Sequence, residues 1–267
     1  MRRWLALVLL ACCLPATARE LRVCADPNNL PFSNRAGEGF ENRIVELLAR
    51  DLGATVRYKW WPQRRGAARN TLDADECDVI PGIASSIERL GTTRPYYRSG
   101  YVFVTRAGSA LRDVHSLDDA RLRDATIGVQ LVGDDGANTP PAHALARRGI
   151  VDNVRGFTVF GDYADTAPQR AIIDAVARGD IDVAIAWGPT AGYFAKHEKP
   201  ELRLAPVTPW LDGPQWPMQF DVSMGVRRDD VALRRELDRA LERNAAAVAD
   251  ILAEYDVPII ATPSMGK

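Results

Sequence analysis

The chain has 267 residues, and its 34 lysines and arginines nearly balance 35 aspartates and glutamates, which gives a formal net charge of −1. This balance offers no electrostatic reason to expect nucleic acid as a partner. Without the leader described next, roughly 250 residues remain, enough for one large or two small α/β domains.

Residues 1–18 have the pattern of a secretory signal peptide. Arg2-Arg3 is a positive start, residues 4–11 are apolar, and Ala16-Thr17-Ala18 resembles a cleavage site. Residues 9–12 also loosely resemble a lipoprotein processing site, which stays open as an alternative. No later segment has the ~20 consecutive apolar residues of a membrane helix. We therefore expect export to the periplasm and no membrane insertion of the mature chain.

The first part of the mature chain alternates strand and helix patterns, which predicts a mostly parallel sheet. Apolar residues recur at three- and four-residue spacing from Ile44 to Leu52, and Gly53 ends that helix. The predicted elements are, in order, strand 21–25, the helix after Gly39, strand 55–60, helix 64–72, strand 77–80 and strand 100–105.

Strand and helix patterns also alternate in the second part of the chain, which starts with a helix-capping signature at Ser116. Two long extended segments, 100–106 and 202–208, bracket a central α/β unit as two hinge strands between lobes would. We predict lobe 1 over residues 19–106 and 208–267 and lobe 2 over 107–207; one continuous α/β domain is the alternative. The further predicted elements are strand 126–130, helix 140–148, strand 156–160, helix 168–176, strands 181–186, 202–208 and 221–226, and helix 230–255.

Cys24 and Cys77 remain after the leader has removed Cys12 and Cys13. In an exported protein, an even pair of cysteines is typical of a disulfide. The two predicted strands that carry them would be neighbours in a doubly wound sheet, within the ~4.4–6.8 Å Cα separation that a bridge needs. We predict the disulfide Cys24–Cys77; two buried free thiols are the alternative.

Several motifs resemble the polar amino-acid type of periplasmic solute-binding protein over almost the whole mature chain. They are Asp26-Pro27 with Pro31-Phe32, then Gly39-Phe40-Glu41, then an arginine before Pro95-Tyr96-Tyr97. The resemblance implies a type II binding-protein fold, with two α/β lobes, each a mostly parallel doubly wound sheet, joined by two strands. More specific motifs resemble the quinoprotein-dehydrogenase-associated MxaJ/XoxJ subgroup: residues 60–66, 69–72, 77–79, 92–99 and 186–189.

This resemblance implies a non-enzymatic accessory or maturation partner of a PQQ-dependent methanol or alcohol dehydrogenase. The alternative is a receptor that delivers a small anion, such as PQQ or a carboxylic acid, to an ABC permease. Neither reading requires a resident cofactor, although PQQ is a possible ligand.

The cleft candidates combine ligand positions of the family with departures from it. Ser85 and Arg89 match the turn whose arginine forks onto a ligand carboxylate; pairing of Arg89 with a local acid is the alternative. Trp187 stands where relatives place an aspartate for the ligand ammonium, and acids in loop 132–138 would repel a carboxylate, so a free amino acid is an unexpected ligand. The candidate ligand-binding residues are Asp26, Phe32, Trp61, Arg64, Arg65, Ser85, Arg89 and Trp187.

A second aromatic and proline-rich stretch lies beside the predicted second hinge. Trp210, Trp216 and Phe220 are the candidates for partner docking, because aromatic residues suit interface anchors. A lid over the cleft is the alternative interpretation.

Signatures of catalysis and of metal binding are weak. The histidines are isolated, and no zinc, calcium, nucleophile-elbow or phosphate-loop spacing is present. Asp26 and Glu41 could form a carboxylate pair, but capping of a turn and a helix explains both more simply. We predict no catalytic residue and no metal site.

Overall fold

The computed structural model describes residues 19–62, 66–132, 137–159, 167–196 and 198–261. The predicted leader, Arg64 and Arg65 lie outside the described residues. The strands are β1 (Arg19–Ala25), β2 (Asn28–Asn29), β3 (Ser33–Asn34), β4 (Ala54–Trp60), β5 (Val79–Ala84), β6 (Gly91–Thr92), β7 (Tyr97–Arg106), β8 (Ile127–Val132), β9 (Ala137–Asn138), β10 (Val154–Thr158), β11 (Val183–Trp187), β12 (Leu202–Pro206), β13 (Leu211–Asp212), β14 (Trp216–Pro217) and β15 (Gln219–Val226).

The helices cover the faces of the sheets that these strands form. Short 3₁₀ turns occupy Ala120–Arg123 and Pro168–Arg170. The α-helices are α1 (Phe40–Asp51), α2 (Ala67–Asn70), α3 (Pro140–Arg147), α4 (Ala171–Arg178), α5 (Gly188–Ala195), α6 (Val231–Arg243) and α7 (Ala245–Glu254).

The single helix predicted over residues 230–255 is wrong, because the chain forms α6 and α7 with Asn244 between them. The backbone N–H and the side-chain amide of Asn244 both donate to the carbonyl of Ala240, at 3.0 and 2.8 Å. An asparagine side chain that competes for backbone groups favours a helix end over a helix interior.

The first lobe is built on β1, which pairs in parallel with β4 on one side and with β5 on the other. β15 then pairs antiparallel with β5. The buried side of α1, with Phe40, Ile44 and Leu48 fully covered, packs with residues of β1, β15, α6 and α7 in one apolar core. The 3.6-residue spacing of apolar residues in α1 thus positions the start of that helix against the sheet.

The second lobe repeats the arrangement. β8 pairs in parallel with β10 and β11, and β11 pairs antiparallel with β7. One apolar core, which includes Phe103 and Leu145, lies on one face of this sheet, and a second, which includes Ile172 and Ile173, lies on the other.

Strand β7 joins the two lobes. Its first residues, Tyr97 to Gly100, pair with β15, and the following residues from Tyr101 onward pair with β11. β12 pairs with the same second part of β7, and Met218 packs in the core of the second lobe. These contacts indicate that the chain returns to the first lobe at the start of β15. The boundary between residues 207 and 208 stays a sequence prediction.

The predicted disulfide Cys24–Cys77 is confirmed, with a Cα–Cα distance of 5.6 Å. It joins the end of β1 to the segment before β5, as expected for neighbouring parallel strands. Beside it, Asp78 accepts hydrogen bonds from Arg22 and Arg227. Burial opposes ionisation of Asp78, but these two guanidinium groups outweigh it and lower its pKa to about 2. No helix within the described ranges is long and apolar enough to cross a membrane.

Candidate functional site

A cleft of about 520 Å³ lies where the two lobes face each other. Its described lining combines aromatic rings, side-chain amides and the carboxyl group of Glu41, a composition typical of small-molecule sites. The lining residues are Asn29, Phe32, Glu41, Gly82, Ala84, Tyr97, Tyr101, Gln130, Val132, Thr139, Val159, Gln169, Trp187, Phe220 and Val222.

The first turn of α1 brings Glu41 to the cleft. The backbone N–H of Glu41 donates to the carbonyl of Phe32 at 2.9 Å, and that of Phe40 donates to Pro31. Gly39 makes this close approach possible, because a β-carbon there would lie 2.0 Å from the Phe32 oxygen. The close backbone contact between Phe32 and Gly39 therefore positions Glu41 at the cleft wall.

Glu41 is buried, with a relative exposure of 2% for the whole residue. Its Oε2 has no hydrogen-bond partner among the described residues. Burial first, and the nearby charge of Asp26 second, raise its pKa to about 8. Burial therefore favours the protonated form of Glu41, which lies in the first turn of α1 as the sequence predicts.

The wall from the second lobe is held by Gln130 of β8. Its Oε1 accepts the backbone N–H of Trp187 at 2.7 Å, and its own carbonyl accepts the Thr139 hydroxyl at 2.8 Å. Trp187 caps α5 at the end of β11, so this bond fixes the position at which the indole enters the cleft.

Trp187 lies among other aromatic rings. Its ring centroid is 5.4 Å from that of Tyr101 and 5.8 Å from that of Phe220, both in edge-to-face geometry. Tyr97 and Phe32 face the same cleft from the first lobe. The electron-rich faces of such rings suit apolar groups and organic cations.

Asn29 and Gln169 connect the lobes at the cleft. The Gln169 Nε2 donates to the Asn29 Oδ1, and the Gln169 Oε1 accepts the Thr190 hydroxyl at 2.8 Å. Both amide side chains are buried, at 5% and 4% exposure. A direct side-chain bond between lobes is one contact that lobe opening would have to break.

The structure brings Phe32 and Trp187 to the cleft and places Asp26 beside it. The Asp26 carboxylate is buried and accepts the backbone N–H of Asn28 at 2.8 Å, and the Asp26 carbonyl accepts the Ser33 hydroxyl. Asp26 thus orders the turn before Phe32, as the capping interpretation predicts.

Ser85, Arg89 and Trp61 do not line the described cleft. The hydroxyl of Ser85 is 2.6 Å from that of Ser223, and the half-exposed Arg89 guanidinium pairs with Asp73. This is the local ion pair that the sequence left open for Arg89. Trp61 is exposed, and its backbone N–H donates to Ala25.

The docking candidates occupy three different environments. Trp210 is 61% exposed and precedes the hairpin of β13 and β14. The ring of Trp216 stacks on His143 at 3.9 Å, whereas Phe220 lines the cleft beside Trp187. We call residues 210–217 the aromatic hairpin. Its buried Asp212 pairs with Arg148 at 2.9 Å, which fixes the hairpin to the second lobe.

Sequence reasoning discounted Glu41 and did not identify the amides Gln130 and Gln169 as cleft residues. One sequence pattern could have identified Glu41 as a cleft residue: it is an acid directly after Gly39-Phe40, within the first turn of a helix with an apolar face. Nothing in the spacing of the two glutamines indicates a cleft. No group of three or more potential metal ligands occurs in the part of the chain that the structure describes.

Comparisons with known proteins agree with this architecture. The model of the bacterial extracellular solute-binding proteins, family 3, matches residues 21–255. The chain is 34% identical over 255 residues to protein MoxJ of Methylorubrum extorquens, with 91% of this chain and 82% of that protein covered.

Two crystal structures of periplasmic binding proteins are also similar. XoxJ from Methylobacterium extorquens AM1 is 38% identical, with a TM-score of 0.73 and coverage of 91% of this chain and 100% of that one. MxaJ from Methlophaga aminisulfidivorans MPT is 25% identical, with a TM-score of 0.78 and coverage of 90% and 100%. These matches confirm the two-lobed type II fold that the motifs predict. The chain belongs to family 3 of the bacterial extracellular solute-binding proteins.

Proposed function

We propose that this protein is exported to the periplasm and acts there, without catalysis of its own, as an accessory partner of a PQQ-dependent methanol or alcohol dehydrogenase. The similarity to MoxJ and XoxJ along the length of the chain carries the proposal. The motifs at residues 60–66 and 92–99 support it, because they resemble the subgroup that is encoded with such dehydrogenases.

The features expected of an amino-acid receptor are altered in this chain. Trp187 stands where relatives place the acid that meets a ligand ammonium, and Arg89 is engaged by Asp73 outside the described cleft. A guanidinium that already pairs with a carboxylate is less available to a second one. These two observations favour a partner role over amino-acid transport.

The aromatic hairpin supplies a surface suited to that role. Trp210 and Leu211 are both exposed on it, although large apolar side chains are usually covered. Asp212 and Trp216 anchor the same hairpin through Arg148 and His143. A tryptophan on a rigid support loses little conformational freedom when it binds, which is the property of an interface anchor.

The test is calorimetric titration of the oxidised mature protein with its purified dehydrogenase, with and without PQQ. Saturable binding of the dehydrogenase that PQQ leaves unchanged supports the accessory role. Tight PQQ binding with closure of the lobes, and no heat from the dehydrogenase, would contradict it and favour a transport receptor for a small anion. The exported location is tested separately by fractionation of cells that produce the full chain.

A further inference from the structure

A short segment after α7 runs from the first lobe across a helix of the second. We call residues 255–260 the C-terminal strap; it lies against α5 and against the start of β7. Its first residue, Tyr255, is buried in the apolar core of the first lobe. The Tyr255 hydroxyl also donates to the carbonyl of Glu38, just before α1. One end of the strap is therefore fixed to the first lobe.

The middle of the strap packs closely on α5 of the second lobe. The ring of Tyr193 stacks on that of Tyr255 with centroids 5.6 Å apart, and Tyr193 packs against apolar cores of both lobes. A β-carbon at Gly192 would lie only 1.9 Å from the carbonyl oxygen of Asp256, so the two backbones are in direct contact. The Asp256 carboxylate pairs with Lys196 at 2.6 Å. These contacts fix the middle of the strap to the second lobe.

The last part of the strap bonds to β7, the strand that joins the lobes. The hydroxyl of the fully buried Ser99 donates to the Pro258 carbonyl at 2.6 Å. The backbone N–H of Ile260 donates to the Arg98 carbonyl at 2.9 Å. The Arg98 guanidinium forms two bonds to the Asp221 carboxylate of β15, at 2.7 and 2.8 Å. The strap is therefore bound where β7 passes from β15 to β11.

The strap also touches residues beside the cleft in both lobes. The ring of Tyr255 lies 5.9 Å from that of Phe40, in the first turn of α1. A β-carbon at Gly188, the residue after Trp187, would lie in van der Waals contact with Pro258, at 3.4 Å. Rotation of the second lobe about β7 would carry Gly188 and α5 away from Tyr255. Hinge rotation must therefore separate the strap from α5.

We infer that the C-terminal strap restrains the hinge, so that the lobes rotate about β7 and β15 only after residues 256–260 leave α5. The Lys196–Asp256 pair is half-exposed, at 49% and 42%, and solvent and salt weaken such a pair. The close packing at Gly192 and the buried Ser99 bond therefore carry most of the restraint. This inference uses contacts within the chain and does not rest on the dehydrogenase role.

The test combines a distance between the lobes with the exchange of one strap amide. Spin labels on Glu46→Cys in α1 and Val151→Cys in the second lobe occupy exposed positions, and pulsed electron resonance measures their separation while Cys24–Cys77 stays oxidised. Hydrogen–deuterium exchange at the Ile260 N–H follows release of the strap from β7.

Two substitutions in α5 should release the strap. Gly192→Ala places a methyl group against the Asp256 carbonyl, while alanine favours the helix itself. Lys196→Met removes the ion pair. In the double variant we expect a second population of interlobe distances and about tenfold or faster exchange at Ile260. Lys199→Met, at another exposed lysine shortly after α5, is the control and should change neither measurement.

A third substitution keeps the inference testable if Gly192→Ala does not fold. Ser99→Ala removes the bond to Pro258 without added bulk and is then combined with Lys196→Met. The same two changes are expected, a second population of interlobe distances and faster exchange at Ile260. Faster exchange with an unchanged distribution of interlobe distances would overturn the inference, because the strap would then detach without freeing the hinge. Unchanged exchange in every variant would also overturn it, because the named contacts would then not hold the strap.

Discussion

The backbone of Gly82 lies directly against the carboxyl group of Glu41. A β-carbon at Gly82 would come within 1.8 Å of Glu41 Oε1, and Gly82 itself has a left-handed φ of +70°. Strand β5 and the first turn of α1 therefore fit together only with glycine at this position. The position of the acid in the cleft depends on that fit.

Gly82→Ala should destabilise the protein and displace Glu41. The left-handed backbone alone costs roughly 1–2 kcal/mol for a residue with a β-carbon. Gly37→Ala is the matched control, because Gly37 has a φ of +77° but no atom within 4 Å of the added carbon. We expect urea denaturation to show a loss at least about 1 kcal/mol larger for Gly82→Ala, since overpacking adds to strain. Equal losses of unfolding free energy in the two variants would mean that the Glu41 side chain moves away from the added carbon without further loss of stability.

Glu41 should make stability depend on pH. Its pKa is about 8 in the folded protein and near 4.5 otherwise, so between these values the unfolded chain binds fewer protons. Its stabilising contribution is complete below about pH 4.5 and declines as the pH rises toward 8, by at most ~1.4 kcal/mol per pH unit. Urea midpoints of Glu41→Gln should lack this decline, whereas those of Glu38→Gln should retain it. Parallel pH profiles for both variants and the unmodified protein would contradict this account.

The disulfide Cys24–Cys77 closes a loop with a sequence separation of 53. Loop-closure entropy for that length corresponds to about 4 kcal/mol, an upper value when the reduced chain retains structure. We expect reductant to lower the Tm of the unmodified protein and to have no effect on a Cys24→Ala, Cys77→Ala variant. A reduced protein with an unchanged Tm would show that the bridge is not needed for stability.

The bond between Gln169 and Asn29 should hold the lobes together. Gln169→Ala removes it, together with the hydrogen bond that the Thr190 hydroxyl donates to Gln169. We expect a larger radius of gyration in small-angle scattering, because the lobes then separate more readily about β7 and β15. Gln219→Ala, at a half-buried position where β15 begins, is the control. An unchanged scattering profile for Gln169→Ala would show that other contacts keep the cleft closed.

Periodicity and motif order sufficed to predict the two-lobed fold class and most of the strands. Apolar spacing in α1 reflects burial on one face, and the first four residues of β4 alternate between half-buried and exposed; a sequence records both patterns directly. The division of the last helix falls at Asn244, whose side-chain amide bonds to the carbonyl of Ala240, and apolar spacing does not record such a bond.

The residues that line the cleft were harder to predict from the sequence than the strands. Phe32 and Trp187 were found because the motifs place them, whereas Glu41 looked like an ordinary acid in a first helical turn. The burial of Glu41, on α1, depends on the close approach of Gly82 on strand β5. Arg89 pairs with Asp73, which lies in a separate loop. Such tertiary pairings are not encoded in local spacing.

The most direct test of the partner role is titration of the cognate PQQ-dependent dehydrogenase with two variants of equally exposed residues. Trp210→Ala alters the aromatic hairpin, and Val151→Ala removes an apolar group elsewhere on the second lobe; the two residues are 61% and 58% exposed. The account predicts that Trp210→Ala weakens binding at least tenfold, ~1.4 kcal/mol or more, while Val151→Ala binds as the unmodified protein does. Absence of dehydrogenase binding by the unmodified protein, or equal affinity of both variants, would contradict it.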